Sequence, residues 1–384
     1  MTDGPARSGS SRWIVIREGQ NQRWGGELRR RQIFARLVER TGATVVEKGW
    51  YPVLLRRAAR GSLGRLPGPL LYRLPSRGPR PRLAASEKLR DRLLDAAIAV
   101  TDPAAVAIYD DAAAQSRALG VDLDPGWLAE LSRRQRRNIE AFRWLVSPTA
   151  SFAELIGLPM DRVVVGGNGT DTTRIRVGPW PTEPAIGIVT GAAPSRGLEM
   201  LVEAVRLARG QVPGLRLRMW LVATSPESSA YLEALRASTA ADPWLEISTA
   251  SYADLGDRLA TVSALCITQP PSDYGDVALP VKLFDSLAAG RPLLVTPRTE
   301  TAVVIERTGA GMVARGDRPE DFAAAITELV SDEARARLLG GRARLAAESE
   351  FDWRVVGERI ARELLAREGR SPAAASGLPG DGRT

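Results

Sequence analysis

From Ala185 to Val330 the chain repeats one pattern: a short, almost wholly apolar run, a loop of small residues, then a segment with apolar residues three and four apart. AIGIVTG, LRLRMWLVA, LEIST, ALCIT, LLV (293–295) and GMVA are the runs. LEMLVEAVRLAR, SSAYLEALRAS, ADLGDRLATV, TAVVIER and PEDFAAAITELV are the amphipathic segments. Apolar runs without alternation predict strands covered on both faces, and their alternation with helices predicts a parallel sheet between helical layers. Ligands of such sheets bind beyond the carboxyl ends of the strands. The pattern is most compressed at 280–297, PVKLFDSLAAGRPLLVTP. There Pro280 suits a first helical turn, Leu283, Phe284, Leu287 and Ala288 form one apolar face, Gly290 stops the helix, and Leu293–Val295 follow as a buried strand. Just upstream, ALCITQPPSDYGDVAL (264–279) carries a strand through a Pro, Ser, Gly and Asp loop into that helix N-terminus, a geometry that offers backbone N–H groups to a phosphate.

The first half opens as a βαβ unit. RWIVIRE is a strand from Arg12 to about Glu18, a helix spans about Glu27 to Arg40, Gly42 stops it, and Thr44–Glu47 is the second strand. Gly25 and Gly26 sit at the helix N-terminus, without the G-x-G-x-x-G that an NAD site calls for. From Glu87 a helical pattern leads to the strand AVAIYD, which ends in Asp110 and Asp111; an amphipathic helix near Pro125 to Arg143 then delivers WLVS. VGPWPTEP (177–184), with three prolines and a glycine, suits neither helix nor strand and is the expected interdomain linker. The fold class predicted is α/β, with two Rossmann-like, doubly wound parallel-sheet domains facing a cleft. The division runs 12–178 for the N-terminal domain, 179–350 for the C-terminal domain and 351–369 for a closing helix. Tails 1–11 and 370–384, rich in Gly, Ser, Pro and Ala, are expected to be disordered.

Composition narrows the chemistry. The 384 residues contain no histidine, which removes Ser-His and Cys-His nucleophiles, imidazole bases and histidine metal sites together. Cys266 is the single cysteine and lies within an apolar run, so it reads as a buried thiol. No apolar stretch approaches a membrane span and no signal-peptide pattern follows Met1, so a chain that is either cytoplasmic or peripheral on the inner face of a membrane, rather than secreted or spanning, is expected. Residues 1–180 hold 30 Lys and Arg against 18 Asp and Glu, a net +12, whereas the rest hold 23 against 27. Within the basic half, 49–86 has eight arginines, no acid, and interleaved Trp50, Tyr51, leucines and Tyr72. Two readings stand for this basic insertion: an anionic membrane interface, or a solvated surface segment. Nucleic-acid binding lacks any recognition motif.

PVKLFDSLAAGRPLLVT resembles the donor segment of retaining GT-B glycosyltransferases, the family 4-like bacterial group 1 enzymes, which often read P-x-K-x-x-E-x-x-A-x-G-x-P before a strand. Pro280, Lys282, Asp285, Ala288, Gly290 and Pro292 fall on that pattern. The resemblance implies that Asp285 stands for the glutamate that binds the ribose hydroxyls of a sugar nucleotide. Val277 stands where a second glutamate is common. GAAPSRG resembles the family's G-R-x-x-x-x-K-G loop, which places Arg196 at the diphosphate and Ala192 where a partner arginine is usual. By the same resemblance Gly191, Gly275, Asp276, Val277, Ala278, Leu279 and Lys282 belong to the donor site with Arg196 and Asp285, the last two carrying catalysis. Gly25, Gly26 and Asp110 belong to the acceptor or cleft side, with a plain strand-to-helix turn as the other reading of the glycine pair. Asn168, Gly169 and Asp171 match an N-G-x-D turn, and FDWRVVGERIARELLAR (351–367) resembles the terminal helix that crosses back to brace the first domain. The function implied is a metal-independent hexosyl transfer from a nucleotide-sugar substrate, with no cofactor, to an acceptor that is lipid-linked if the membrane reading holds. Its rival is a non-catalytic, nucleotide- or partner-binding protein of the same fold, for which Ala192 and Val277 speak.

Overall fold

The computed structural model describes residues 13–17, 25–47, 80–108 and 124–370. In its first half, strands β1 (Trp13–Arg17), β2 (Thr44–Glu47), β3 (Arg82–Ser86), β4 (Asp102–Ala107), β5 (Trp144–Ser147) and β6 (Val163–Val165) form one parallel sheet in the order β2-β1-β3-β4-β5-β6. Helices α1 (Gly25–Thr41), α2 (Asp91–Val100), α3 (Pro125–Ala141) and α4 (Ala150–Leu155) cover it. In the second half, β7 (Ala185–Gly191), β8 (Arg216–Val222), β9 (Leu245–Ser248), β10 (Ala264–Ile267), β11 (Leu293–Val295) and β12 (Gly311–Val313) form another parallel sheet in the order β12-β11-β10-β7-β8-β9. Its helices are α5 (Leu198–Ala208), α6 (Pro226–Ser238), α7 (Leu255–Leu259), α8 (Asp273–Val277), α9 (Val281–Ala288), α10 (Thr299–Thr308), α11 (Pro319–Ser331) and α12 (Glu333–Ala346). Both sheets are doubly wound, as the alternation of apolar runs and amphipathic segments predicts. Leu217, Met219 and Leu221 of β8 pack into one core layer and Trp220 into the layer on the other face, the expected consequence of a strand with no solvent side.

Each sheet has one point where the winding reverses, between β1 and β3 in the first and between β7 and β10 in the second. Ligand crevices form outside the carboxyl ends of strands at such reversals. Among the described residues, the loops leaving β3, β7 and β10 therefore border these crevices.

Helix α13 (Trp353–Arg370) closes the chain by returning to the first domain, where Trp353, Val356, Ile360 and Leu364 are buried with Ile33, Phe34 and Leu37 of α1. Its polar anchor is Glu368, 2% exposed, which pairs with Arg82 and Arg143 and accepts from the Trp144 indole at 2.7 Å. The stripe read from the sequence is the buried one, but the helix begins at Trp353, because a π turn (Ala347–Phe351) precedes it and Asp352 accepts the Arg354 N–H at 2.8 Å.

Three readings need correction. The stretch 49–86 is not insertion throughout: RLAAS is β3, paired on one side with β1 and on the other with β4. Its arginine-rich part, 49–79, lies outside the described residues. Helix α2 starts at Asp91 rather than at Glu87, since Glu87 is fully buried and its carboxylate is held by Arg30 at 3.2 Å and by the Ser86 hydroxyl. Helix α12 was not expected at all.

The segment between the sheets is held by two arginines. Arg291, 1% exposed, donates to the carbonyls of Gly178, Pro179, Ala260 and Val262, and the guanidinium groups of Arg291 and Arg337 each lie over the Trp180 ring, 4.8 Å from its centre. Arg344 donates to the carbonyls of Thr172, Ile175 and Ala288. Residues 172–180 are thus tied to the second domain.

Candidate functional site

A cavity of about 1190 Å³ opens where the carboxyl ends of the two sheets face each other. Leu28 of α1, Lys88 after β3, Pro148, Phe152 and Asn168 line it from the first domain. The second domain contributes Gly191 and Arg196 after β7, Val222 to Thr224 after β8, Ala250 to Ala253 after β9, Thr268 and Gln269 after β10, and Val277 to Lys282 with Asp285.

Arg196 is delivered by the turn Pro194–Arg196, and the next residue, Gly197, has φ 62°, which lets α5 start at once. The Thr268 hydroxyl donates to the Arg196 carbonyl at 2.7 Å, tying this loop to the β10 loop across the winding reversal. Arg196 Nε is buried with no hydrogen-bond partner among the described residues. Ala192 is buried in the core beneath and does not reach the cavity.

On α9, Leu283, Phe284 and Leu287 face the core, while Lys282 and Asp285, one turn apart, share the face turned to the cavity. Asp285 is 3% exposed and accepts the Thr170 hydroxyl at 2.9 Å. Burial pushes its carboxyl up to about 7, against the opposing pull of that hydrogen bond and of Lys282. Burial and then the nearby Arg196 charge push the Lys282 ammonium down to about 8, with Asp285 acting the other way. Tyr252, over whose ring the Arg174 guanidinium lies at 4.2 Å, has its phenol pushed up by burial and then by Asp285 and Asp171.

The site residues read from the sequence divide into two groups. Gly191, Arg196, Val277, Ala278, Leu279, Lys282 and Asp285 converge on the cavity. Gly275 and Asp276 lie on α8 behind it, where the Gly275 N–H is capped by Ser272 and Asp276 faces Arg298 at 3.5 Å. Gly25 and Gly26 open α1, and Asp110 lies outside the described residues. Asn168 belongs to the seam between domains: its amide donates to the Leu279 carbonyl, as the Thr149 hydroxyl does to the Val277 carbonyl at 3.1 Å. Asp171 accepts from the Thr173 and Arg174 N–H groups and so shapes the turn that leaves the first domain. Sequence reasoning missed Thr170, Lys88, Arg174, Tyr252 and Gln269. It also missed Arg29, whose guanidinium donates to the carbonyls of Ile108 at 2.6 Å and Gly167 at 3.1 Å.

Comparison with known proteins gives this geometry a class. Residues 183–332 match the family model described as glycosyl transferases group 1. The D-inositol 3-phosphate glycosyltransferase of Nocardia farcinica is 27% identical over 241 residues, which are 59% of this chain and 51% of that protein; the chain thus spans about half the length of this curated relative. Among solved structures, sucrose-phosphate synthase from Thermosynechococcus elongatus superposes with a TM-score of 0.66 at 11% identity, covering 94% of this chain and 100% of that one. Anabaena HepE in complex with UDP gives 0.64 at 13% identity, covering 92% and 100%. WaaG, a glycosyltransferase involved in lipopolysaccharide biosynthesis, gives 0.58 at 12% identity, covering 92% and 99%. The fold is GT-B, and within it residues 183–332 match the model of group 1 glycosyl transferases.

Proposed function

We propose that the chain transfers a hexosyl group, with retention and without a metal, from a nucleotide sugar to an acceptor. The observation that carries this reading is the convergence of Arg196 and Asp285 on one cavity at the winding reversal of the group 1 domain. In this reading Asp285 accepts the ribose hydroxyls, and Arg196 with the first-turn N–H groups of α9 meets the diphosphate. The bond between the sugar's anomeric carbon and the phosphate oxygen breaks, its electron pair leaves with the diphosphate, and the acceptor oxygen forms the new bond on the same face. The departing phosphate takes the acceptor's proton, so no imidazole is required. Stabilising the leaving group's charge supplies most of the acceleration. A bound UDP in HepE, and UDP-glucose in another structure of the same protein, support a nucleotide-sugar donor. The second reading, donor binding without transfer, rests on Ala192 and Val277 and predicts nucleotide affinity with no turnover.

Asp285 makes the donor reading testable through pH. The ribose hydroxyls favour the ionised carboxylate, so binding releases a proton below about pH 7, and affinity falls as pH falls. Calorimetric titration with nucleosides, which carry the ribose hydroxyls but no phosphate that titrates in this range, is expected to show affinity several-fold lower at pH 5.5 than at 7.5. In Asp285→Asn affinity should be low and this acid limb flat, while Asp285→Glu retains binding. An acid limb surviving in the Asn variant would remove Asp285 from the ribose.

We further propose that the acceptor is lipid-linked, as cell-envelope polysaccharide or glycolipid synthesis would supply, and that the first domain sits on an anionic membrane. The net +12 of residues 1–180 and the acid-free run from Arg56 to Arg82 support this, at ~1 kcal/mol for each basic residue at the surface. Among the described residues no helix is long and apolar enough to cross a membrane. In vesicle sedimentation, binding should require anionic lipid, fade with salt, and drop when the arginines between 56 and 80 become glutamine. Equal recovery in the supernatant with anionic and neutral vesicles at low salt would leave a soluble acceptor.

A further inference from the structure

A diphosphate brings more than one negative charge, and Arg196 neutralises only one. Among the described residues four cations line the cavity: Lys88, Arg174, Arg196 and Lys282. Lys88 stands on the first-domain wall, and Arg174 is engaged with Tyr252, through Nε to its carbonyl at 3.1 Å and through its guanidinium over the ring. Arg196 and Lys282 remain, brought together from the β7 loop and the start of α9 on either side of the winding reversal. Among the described residues neither has a carboxylate at ion-pair distance, and the buried Arg196 Nε has no partner. Two like charges lining one crevice, near enough for Arg196 to act on Lys282, oppose each other, and an anionic ligand offsets that repulsion. The position that could have supplied the second cation locally, 192, is an alanine sunk in the core.

We propose that Lys282 is the second diphosphate cation of this site, supplied from helix α9 in place of a basic residue on the β7 loop. This rests on the donor-site reading above and adds to it a proton-coupled binding step. Among the described residues, Arg196 from the β7 loop and Asp285 on its own helix act on Lys282; Arg174 on the segment leaving the first domain, Tyr252 after β9 and Lys88 on the opposite wall line the same cavity, and Asp171 acts on Asp285. With no ligand, burial and then the Arg196 charge favour a neutral amine at alkaline pH; a diphosphate favours the ammonium. Binding therefore takes up a proton above about pH 8, a range in which Asp285 is already ionised.

The test is calorimetry with UDP, GDP, ADP and TDP as probes, repeated at pH 9 in two buffers of different ionisation enthalpy. Lys282→Gln should weaken the diphosphate that the unmodified protein binds by about 10- to 100-fold, and the matching nucleoside by less than about threefold. The unmodified protein should take up a proton at pH 9, and both Lys282→Gln and Lys282→Arg should not. The arginine variant should keep most of the affinity, which separates lost charge from a disturbed fold. Binding by the unmodified protein with equal affinity in Lys282→Gln, absence of proton uptake at pH 9, or uptake that persists in Lys282→Arg would overturn the assignment of Lys282 alone. No binding of any of the four diphosphates would overturn the donor-site reading and this inference with it.

Discussion

Gly197→Ala should lose about 3 kcal/mol of stability and, with it, the donor site. Gly197 has φ 62°, where a side chain costs roughly 1–2 kcal/mol. A Cβ added there would stand 2.1 Å from the Thr268 carbonyl oxygen, a backbone atom of the β10 loop that cannot swing aside, and relieving such overpacking costs a further ~1–3 kcal/mol. The relief must separate the β7 and β10 loops, which are joined at this point by the Thr268 hydroxyl on the Arg196 carbonyl. Arg196 would then leave the position from which it faces the cavity. Urea unfolding should register the lost stability. Nucleoside diphosphate titration under conditions where the variant is still folded should register a loss of affinity beyond it. A variant as stable as the parent would mean that the two loops are not in the contact described.

The second large effect is expected at Arg196 itself. Arg196→Ala removes a partly buried cation whose Nε has no partner among the described residues, so stability should change little while nucleoside diphosphate affinity falls by about 1.5–3 kcal/mol, the range for hydrogen bonds to charged groups. The nucleoside should bind the variant and the parent alike. Unchanged diphosphate affinity by calorimetry would take Arg196 out of the site.

The architecture was legible because both sheets are parallel and buried on two faces, so that runs such as AIGIVTG and LLV carry no competing pattern. The failures have local causes. RLAAS ends an arginine-rich stretch and is only five residues long, too short for its β pairing to outweigh the composition around it. Helix α12 carries Gly340 and Gly341, two residues of low helix propensity; at Gly340 the missing Cβ lets the helix lie against the Gly290 carbonyl, 2.4 Å from where that atom would be. In the cavity, the loop after β10 was marked by its strand, loop and helix N-terminus pattern, and the loop after β7 by the resemblance of GAAPSRG to a family motif. The partners across the cleft could not. Thr170 reaches Asp285 over 115 positions of sequence, and no short-range pattern marks a threonine for that task. Val277 shows the opposite case: where a carboxylate might be sought, the side chain packs with Tyr274 against the first domain's Phe152 layer, so it also closes the seam between the domains.

The account turns on whether this cleft activates a nucleotide sugar. The most direct measurement incubates the protein with a panel of UDP-, GDP-, ADP- and TDP-sugars without acceptor, following release of the nucleoside diphosphate and, by NMR, the anomer of the sugar first set free. The account predicts slow hydrolysis of at least one donor, with the donor's own configuration in the initial product and no release by Arg196→Ala. A protein that binds none of the panel and releases no diphosphate from any of them would contradict it.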